Sequence, residues 1–140
     1  MNENLLILTI GLPRSGKSTW ARQQNLPIVN PDSIRLALHG QRFQSLAEPM
    51  VWAIATIMVR ALFLAGHYKI IVDATHMTKK RREFWKDKGW RCVLKPIETS
   101  KEICLKRAES EGDLEIIPVI ERMAMQYEPL TEDEGSIYAP

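Results

Sequence analysis

The stretch LLILTIGLPRSGKST, residues 5–19, decides the fold of this 140-residue chain. Its first six residues are mostly branched and apolar, which is typical of a strand buried on both faces of a parallel sheet. The next eight, Gly11 to Ser18, match G-x-x-x-x-G-K-[ST], the loop that binds nucleotide phosphates. A strand, this loop and a helix-forming sequence in succession predict a domain that binds a nucleoside triphosphate.

The residue types of the loop indicate what each position does. We expect Gly11 to let the chain leave the strand sharply, and Gly16 to let backbone N–H groups approach phosphate oxygens. Lys17 is expected to reach the β- and γ-phosphates, and Ser18 to ligate Mg²⁺. Arg14 stands where many such loops have glycine, so we expect a backbone angle that an ordinary residue tolerates; its side chain is either solvated or touches a phosphate or the substrate. The predicted nucleotide-binding set is Gly11, Pro13, Arg14, Ser15, Gly16, Lys17, Ser18 and Thr19.

Charge is distributed unevenly along the chain, although the net charge is only +2. Residues 67–108 contain twelve basic and five acidic residues, whereas residues 109–140 contain one basic and nine acidic residues. The densest basic run, KKRR at residues 79–82, is either a docking point for a polyanion such as nucleic acid or a solvated helix face. We expect one domain of the phosphate-loop type over residues 1–127. A loosely ordered, exposed acidic tail is expected over residues 128–140.

Other features favour a cytoplasmic protein. Cys92 and Cys104 are too few and too far apart for a zinc site, so we expect both to be reduced. The N-terminal residues lack the basic cluster of a signal peptide. The most apolar segment, residues 50–65, is shorter than a membrane span and contains Arg60, which favours a buried helix. We therefore expect neither a membrane partner nor an obligate protein partner.

Apolar strands alternate with helical patterns along the whole chain. Strands are expected at residues 5–10, 27–30, 68–72 and 90–95, and helices at about residues 19–24, 32–38, 45–64, 78–88, 100–109 and 116–126. This alternation predicts an α/β fold with a parallel sheet of about four strands, in the order 2-3-1-4, and helices on both faces. Because ligands bind beyond the carboxyl ends of such strands, we expect the phosphate loop, residues 30–35 and residues 73–76 to meet at one edge.

Two carboxylates and an arginine at this edge suit phosphoryl transfer. An acceptor hydroxyl needs a carboxylate to take its proton, and Asp32 and Asp73 are the candidates. Asp32 lies at a helix entrance with Arg35 one turn further on the same face, so the pair can hold a hydroxyl and an adjacent phosphate. Asp73 ends a buried strand, where it can serve the water shell of Mg²⁺ or contact the acceptor. Thr75 and His76 follow on the same loop and are possible substrate contacts.

These motifs resemble the kinase domain of phage-type 5′-polynucleotide kinases. The resemblance rests on ILTIGLPRSGKSTWAR, VNPDSIR and IIVDATH, followed by a Lys/Arg helix, and it runs from about residue 5 to residue 127. It implies transfer of the ATP γ-phosphate to a 5′-hydroxyl of DNA or RNA at a single-stranded or frayed end. It also implies Asp32 as the general base, Arg35 on the phosphate next to the acceptor, and Asp73 in the acceptor and metal-water network.

The chain departs from this family at one point. The family has two arginines four residues apart on its lid helix, both contacting ATP phosphates. Here Arg107 occupies the first position and Glu111 the second, where a carboxylate would repel a triphosphate. Either Arg107 suffices, or Arg14 or Arg122 substitutes, or the activity is weak.

The sequence therefore predicts an ATP- and Mg²⁺-dependent kinase that acts on a nucleic-acid 5′ end. The predicted catalytic set is Lys17, Asp32, Arg35, Asp73 and Arg107, with Ser18 as the metal ligand. Two alternatives stay open: a P-loop kinase of a small hydroxylated molecule such as a sugar, nucleoside or antibiotic, and a nucleotide-binding switch without transfer activity.

Overall fold

The strand β1 (Leu5–Ile10) lies inside a four-stranded parallel sheet in the computed structural model, which describes residues 3–40 and 47–139. It pairs with β3 (Lys69–Val72) on one side and β4 (Arg91–Pro96) on the other, while β2 (Ile28–Val29) pairs with β3. The order β2-β3-β1-β4 confirms the predicted order 2-3-1-4. In this register Leu8 lies opposite Val72 and Leu94, so the strands deliver their following loops to one edge.

Six helices connect or follow the strands within residues 3–40 and 47–139. They are α1 (Lys17–Gln23), α2 (Pro31–His39), α3 (Glu48–Leu64), α4 (Lys79–Glu83), α5 (Lys101–Ser110) and α6 (Ile117–Gln126). Short 3₁₀ turns cover Leu114–Ile116 and Glu132–Glu134. The residues predicted to begin α3, 45 and 46, lie outside the described residues.

Helix boundaries differ from the predicted ones where local side chains compete with the pattern. The cap of α2 is Asn30, whose side chain accepts a hydrogen bond from the Ser33 N–H at 3.2 Å, so the helix begins at Pro31, one residue before the predicted start. The helix α4 ends at Glu83 instead of residue 88. Asp87 follows with a left-handed φ of 58°, and the intervening Trp85 is fully buried, so the chain turns into the core there instead of continuing on the surface.

The core has a layer on each face of the sheet. Even-numbered residues of β1 point to the layer formed by α3 and the segment around Trp85, and odd-numbered Ile7 points to the layer formed by α1. This alternation is the two-residue period of a strand that is covered on both faces. Within the described residues, no helix has the length and apolar character that crossing a membrane requires.

The acidic C-terminal segment is more ordered than its composition indicates. Residue Leu94 of β4 donates its N–H to the Ser136 carbonyl at 2.9 Å, and Tyr138 donates its N–H to the Leu94 carbonyl at 2.7 Å. Glu134 is only 2% exposed. Most of residues 128–139 are exposed, as expected, but the segment is not loosely attached, because it pairs with the free edge of β4 and buries one of its carboxylates.

Candidate active site

The phosphate loop needs glycine at two positions for different reasons. A Cβ on Gly11 would lie 2.7 Å from the Ser15 Oγ and 3.0 Å from the Ile97 carbonyl oxygen, so only glycine fits this close approach. Gly16 has a left-handed φ of 104° and begins α1 as its N-cap. Arg14 has a φ of 68°, which is also left-handed. The expectation of an ordinary backbone angle at Arg14 is therefore wrong: the loop keeps the glycine-like conformation and carries an arginine in it.

A cavity of about 620 Å³ opens over this loop. Arg14, Lys17 and Arg107 contribute positive charge to its wall, and Glu111 contributes a carboxylate. The Ser15 hydroxyl is buried and has no hydrogen-bond partner among residues 3–40 and 47–139. An orphaned buried hydroxyl beneath a cationic cavity at a helix N-terminus fits the phosphates of a nucleotide. The remaining lining residues are Gly16, Ser18, Thr19, Trp20 and Gln23.

The ammonium group of Lys17 lies deep in the loop. It is 7% exposed and donates a hydrogen bond to the Leu12 carbonyl at 2.7 Å. Burial lowers the pKa of Lys17 below its ordinary value, and the nearby carboxylates of Asp73 and Asp32 act in the opposite direction. A phosphate group next to this ammonium would satisfy a charge that the protein alone only partly compensates.

The arginine of the loop is held by the segment that follows α5. Arg14 NH1 forms an ion pair with Glu111, and its NH2 lies 2.7 Å from the Asp113 carboxylate. These hydrogen bonds, that to Asp113 foremost, raise the pKa of Arg14 above its ordinary value. Arg107 donates to the Arg14 carbonyl at 3.0 Å. Both arginines therefore lie at the cavity, and Glu111 faces a guanidinium.

The segments that follow β1, β2 and β3 meet at Asp73, next to the predicted metal ligand Ser18. The Ser18 hydroxyl donates to Asp73 Oδ2 at 2.6 Å, and Asn30 Nδ2 donates to the same oxygen at 3.2 Å. A hydroxyl beside a buried carboxylate fits Mg²⁺, which takes few protein ligands and keeps most of its sites for water and phosphate oxygens. No cluster of three or more His, Cys, Asp or Glu residues suited to a metal occurs in the part of the chain that the structure describes. The donor set thus suits a metal that arrives with a nucleotide.

Asp32 and Arg35 form an ion pair on the open side of α2. Arg35 NH1 lies 2.6 Å from Asp32 Oδ1, and the Asp32 side chain is 67% exposed. Glu48, at the start of α3, accepts two further hydrogen bonds from Arg35, at 2.8 and 2.7 Å. Burial alone lowers the pKa of Arg35, but Glu48 and Asp32 outweigh it and raise that pKa above its ordinary value. The carboxylate of Asp32 is thus accessible to solvent, and Glu48 holds the guanidinium of Arg35 in place.

The loop after β3 is built for rigidity and leaves His76 out of the site. Thr9 Oγ1 donates to the Ala74 carbonyl at 2.9 Å and accepts from the Ala74 N–H at 3.1 Å. His76 is fully buried, with Nδ1 2.6 Å from the Thr9 carbonyl oxygen and Nε2 3.2 Å from Trp85 Nε1. The expectation that His76 contacts substrate is therefore wrong, since it joins two elements of the core.

The basic run at residues 79–82 does not act as one patch. Arg82 is 1% exposed and pairs with Glu134 at 2.6 Å, and Lys79 lies 3.4 Å from Asp133. Arg81 stacks its guanidinium 4.1 Å from the centre of the Trp52 ring. Of these four residues, only Lys80 is exposed to solvent as a residue on an open helix face would be.

Sequence reasoning missed Asn30, Glu48 and Asp113. Asn30 could have been found, because it follows a strand as Asp73 does and therefore lies at the same sheet edge. Glu48 and Asp113 carry no such local signal, since their partners Arg35 and Arg14 are reached only through the tertiary fold.

The fold and the loop together define a P-loop nucleotide-binding domain of the kinase type. A family model described as an AAA domain matches residues 6–130, so the chain belongs to this family.

Solved structures with the same fold include kinases. A chain in the structure of a Pnkp1/Rnl/Hen1 complex is 27% identical with a TM-score of 0.66. That match covers 76% of this chain and 40% of the other, so this chain spans less than half of that protein's length. A gluconokinase from Sinorhizobium meliloti 1021 is 16% identical with a TM-score of 0.59, over 98% of this chain and 82% of its own. The gluconokinase likeness shows the fold alone, while the set as a whole confirms the resemblance to P-loop kinases.

Proposed function

We propose that this protein transfers the γ-phosphate of ATP to the 5′-hydroxyl of a nucleic-acid strand. The observation that carries the proposal is the junction at Asp73. Its carboxylate accepts hydrogen bonds from Ser18 of the phosphate loop and from Asn30, the cap of the helix that bears Asp32 and Arg35. One carboxylate thus joins the donor side and the acceptor side of the site.

Each side supplies what phosphoryl transfer requires. On the donor side, the loop amides, Lys17 and Arg107 hold the triphosphate and stabilise negative charge as it moves to the leaving group. A magnesium ion bound with the nucleotide would be held by Ser18 and, through water, by Asp73, and would neutralise phosphate charge. On the acceptor side, Asp32 takes the proton of the 5′-hydroxyl. The oxygen of that hydroxyl forms a bond to the γ-phosphorus as the bond between the γ-phosphorus and ADP breaks.

Arg35 favours an acceptor that carries a phosphate near its hydroxyl. Its guanidinium is 13% exposed, and Glu48 holds it on the side away from Asp32. A planar guanidinium fixed in this way binds a phosphate with paired hydrogen bonds, which a neutral sugar does not offer. The resemblance of the sequence motifs to 5′-polynucleotide kinases supports the same substrate class, and the chain is 27% identical to a chain of the Pnkp1/Rnl/Hen1 complex.

The test is a transfer assay with Mg-ATP and a short 5′-hydroxyl oligonucleotide, compared with sugars and nucleosides. We expect a 5′-phosphorylated strand, detected by mass, and a fall in kcat of about 10²- to 10⁴-fold in Asp32→Asn. The variant should bind ATP with nearly unchanged affinity, because Asp32 does not line the phosphate cavity. Ser33→Ala is the matched control, since Ser33 is exposed on the same turn of α2.

The competing outcomes separate the alternatives. Labelling of a sugar or nucleoside, with the oligonucleotide unchanged, would replace the proposal by a small-molecule kinase. ATP binding without transfer to any acceptor would favour a nucleotide-dependent switch. Full transfer activity in Asp32→Asn would show that Asp32 is not the base.

A further inference from the structure

A second groove opens between α3 and α4, next to the proposed acceptor site. It has a volume of about 600 Å³, and Trp52 and Phe84 form part of its apolar wall. Arg60, Arg81 and Lys88 line it as well. We call it the α3–α4 groove. It is separate from the nucleotide cavity, with which it shares no lining residue.

The three cations of the groove are held by aromatic rings rather than by carboxylates. Arg81 lies 4.1 Å from the centre of the Trp52 ring, Lys88 Nζ lies 4.7 Å from that of Phe84, and Arg60 lies 5.2 Å from that of Trp90. Among the described residues, none of the three forms a salt bridge, whereas Lys79, Arg82, Arg35 and Arg14 all do. The groove therefore presents three oriented positive charges that lack a direct carboxylate partner in the described residues, and the Glu48 carboxylate on the same wall partly offsets the charge of Arg81.

The groove continues directly from the acceptor site. Glu48 lines the groove and accepts two hydrogen bonds from Arg35, so Arg35 contacts a residue of the groove wall. From Glu48 the wall follows α3 to Arg60, a length of about 18 Å at the helical rise per residue. In a stacked duplex each nucleotide of one strand advances about 3.4 Å along the helix axis, so this length accommodates several nucleotides.

We propose that the α3–α4 groove carries the strand that extends beyond the acceptor nucleotide, a proposal that rests on the function proposed above. A guanidinium that packs over an aromatic ring can still donate its N–H groups to phosphate oxygens, although one N–H group of Arg60 already donates to the Lys88 carbonyl at 3.2 Å. Apolar and aromatic walls beside such cations suit stacked bases of any sequence. The groove thus selects a single-stranded polyanion over a small hydroxylated molecule, which would reach no further than Arg35.

The test measures how KM depends on the length of the acceptor. For the wild type, KM should fall from a 5′-hydroxyl dinucleotide to longer oligonucleotides. In Arg81→Gln and in Arg60→Gln/Lys88→Gln, KM for the long acceptor should rise at least about tenfold, with KM for the dinucleotide and kcat unchanged. The salt dependence of binding should weaken by about one unit of slope per lost cation. Lys80→Gln is the matched control, because Lys80 belongs to the same basic run but does not line the groove; thermal unfolding checks that each variant is folded.

Several results would contradict the proposed role of the groove in strand binding without contradicting the proposed kinase activity. These are a wild-type KM that is independent of acceptor length, an equal rise for short and long acceptors, or an equal effect of Lys80→Gln. If no oligonucleotide is phosphorylated, the proposed function fails, and fluorescence anisotropy with a labelled single strand still tests the groove. The proposed role of the groove is supported if Arg81→Gln weakens binding of the single strand and Lys80→Gln does not. Absence of strand binding, or occupation of this face by a protein instead, would overturn it.

Discussion

His76 shows at the scale of one residue how burial decides chemical role. A carbonyl oxygen can only accept a hydrogen bond, so the Nδ1 that contacts Thr9 carries the proton. The indole N–H of Trp85 can only donate, so Nε2 is the unprotonated acceptor. Protonation of Nε2 would place two donors against each other in a buried site. Burial lowers the pKa of His76 to about 4, and the positive charges of Arg81 and Lys17 act in the same direction, while the hydrogen bond to Thr9 opposes them.

The stability of the protein should therefore depend on His76 at mildly acidic pH. The unfolded chain takes up a proton near the ordinary pKa of 6.5, whereas the folded chain does so only near 4, so acid favours the unfolded state between these values. We expect the wild type to lose about 2 kcal/mol of unfolding free energy from this group between about pH 7 and pH 5. Urea denaturation at the two pH values measures it.

Two histidine variants make that measurement specific. His76→Gln removes the titrating group and should flatten the pH dependence by about 2 kcal/mol, whatever its stability at neutral pH. His67→Gln is the control, because His67 is exposed and should leave the wild-type slope unchanged. The same slope in His76→Gln and in the wild type would contradict the assignment.

At the scale of elements, the segment from α5 to α6 is tied to the phosphate loop by charge. Arg107 reaches the Arg14 backbone, and the Arg14 side chain reaches back to Glu111 and Asp113. The resemblance to polynucleotide kinases predicts a second lid arginine at the position where this chain has Glu111. In this fold the positive charge lies on the phosphate loop as Arg14, and Glu111 is its partner across the cavity.

A nucleotide and Glu111 should compete for Arg14. In Glu111→Gln one negative charge leaves the cavity wall, so we expect the Kd for ATP to fall about two- to fivefold, consistent with an exposed ion pair of less than about 1 kcal/mol. Isothermal titration at low and high salt measures this, and salt should shrink the effect. The control is Glu109→Gln, an exposed acid of the same helix that does not line the cavity. Weaker ATP binding in Glu111→Gln would mean instead that the pair positions Arg14 for the phosphates.

At the scale of the whole molecule, the C-terminal segment completes the fold on the side of β4. Its Glu134 carboxylate meets the Arg82 guanidinium, and the two side chains are 0% and 1% exposed. Burial by itself raises the pKa of Glu134, but the hydrogen bonds from Arg82 and the Thr131 N–H outweigh it and hold that pKa below its ordinary value. Arg82 also donates to the carbonyls of His76 and Glu128, so one buried guanidinium joins three segments.

Loss of the Glu134 charge should strongly destabilise the protein. Glu134→Gln leaves a buried guanidinium uncompensated, for which the expected cost is about 3–5 kcal/mol of unfolding free energy, measured by urea or thermal denaturation. Glu132→Gln, an exposed neighbour in the same 3₁₀ turn, should change it by less than about 0.5 kcal/mol. A comparably small effect for Glu134→Gln would show that the segment is dispensable.

The sequence by itself determined the nucleotide loop and the sheet, because both rest on local signals. Runs of branched apolar residues report buried parallel strands, and the glycines at Gly11 and Gly16 report backbone geometry that other residues cannot adopt. Because ligands bind beyond the carboxyl ends of parallel strands, the sequence also predicts that Asp32 and Asp73 lie at one edge of the sheet.

Only the tertiary structure decided which charges face ligands and which hold the fold together. Arg81 and Arg82 are neighbours in the sequence, yet one lines an open groove and the other is buried against Glu134. His76 reads as a site residue but is enclosed by Thr9 and Trp85, and Arg35 is fixed by a glutamate thirteen residues away. The physical reason is that desolvation and ion pairing depend on neighbours that are distant along the chain, which no local pattern of residues encodes.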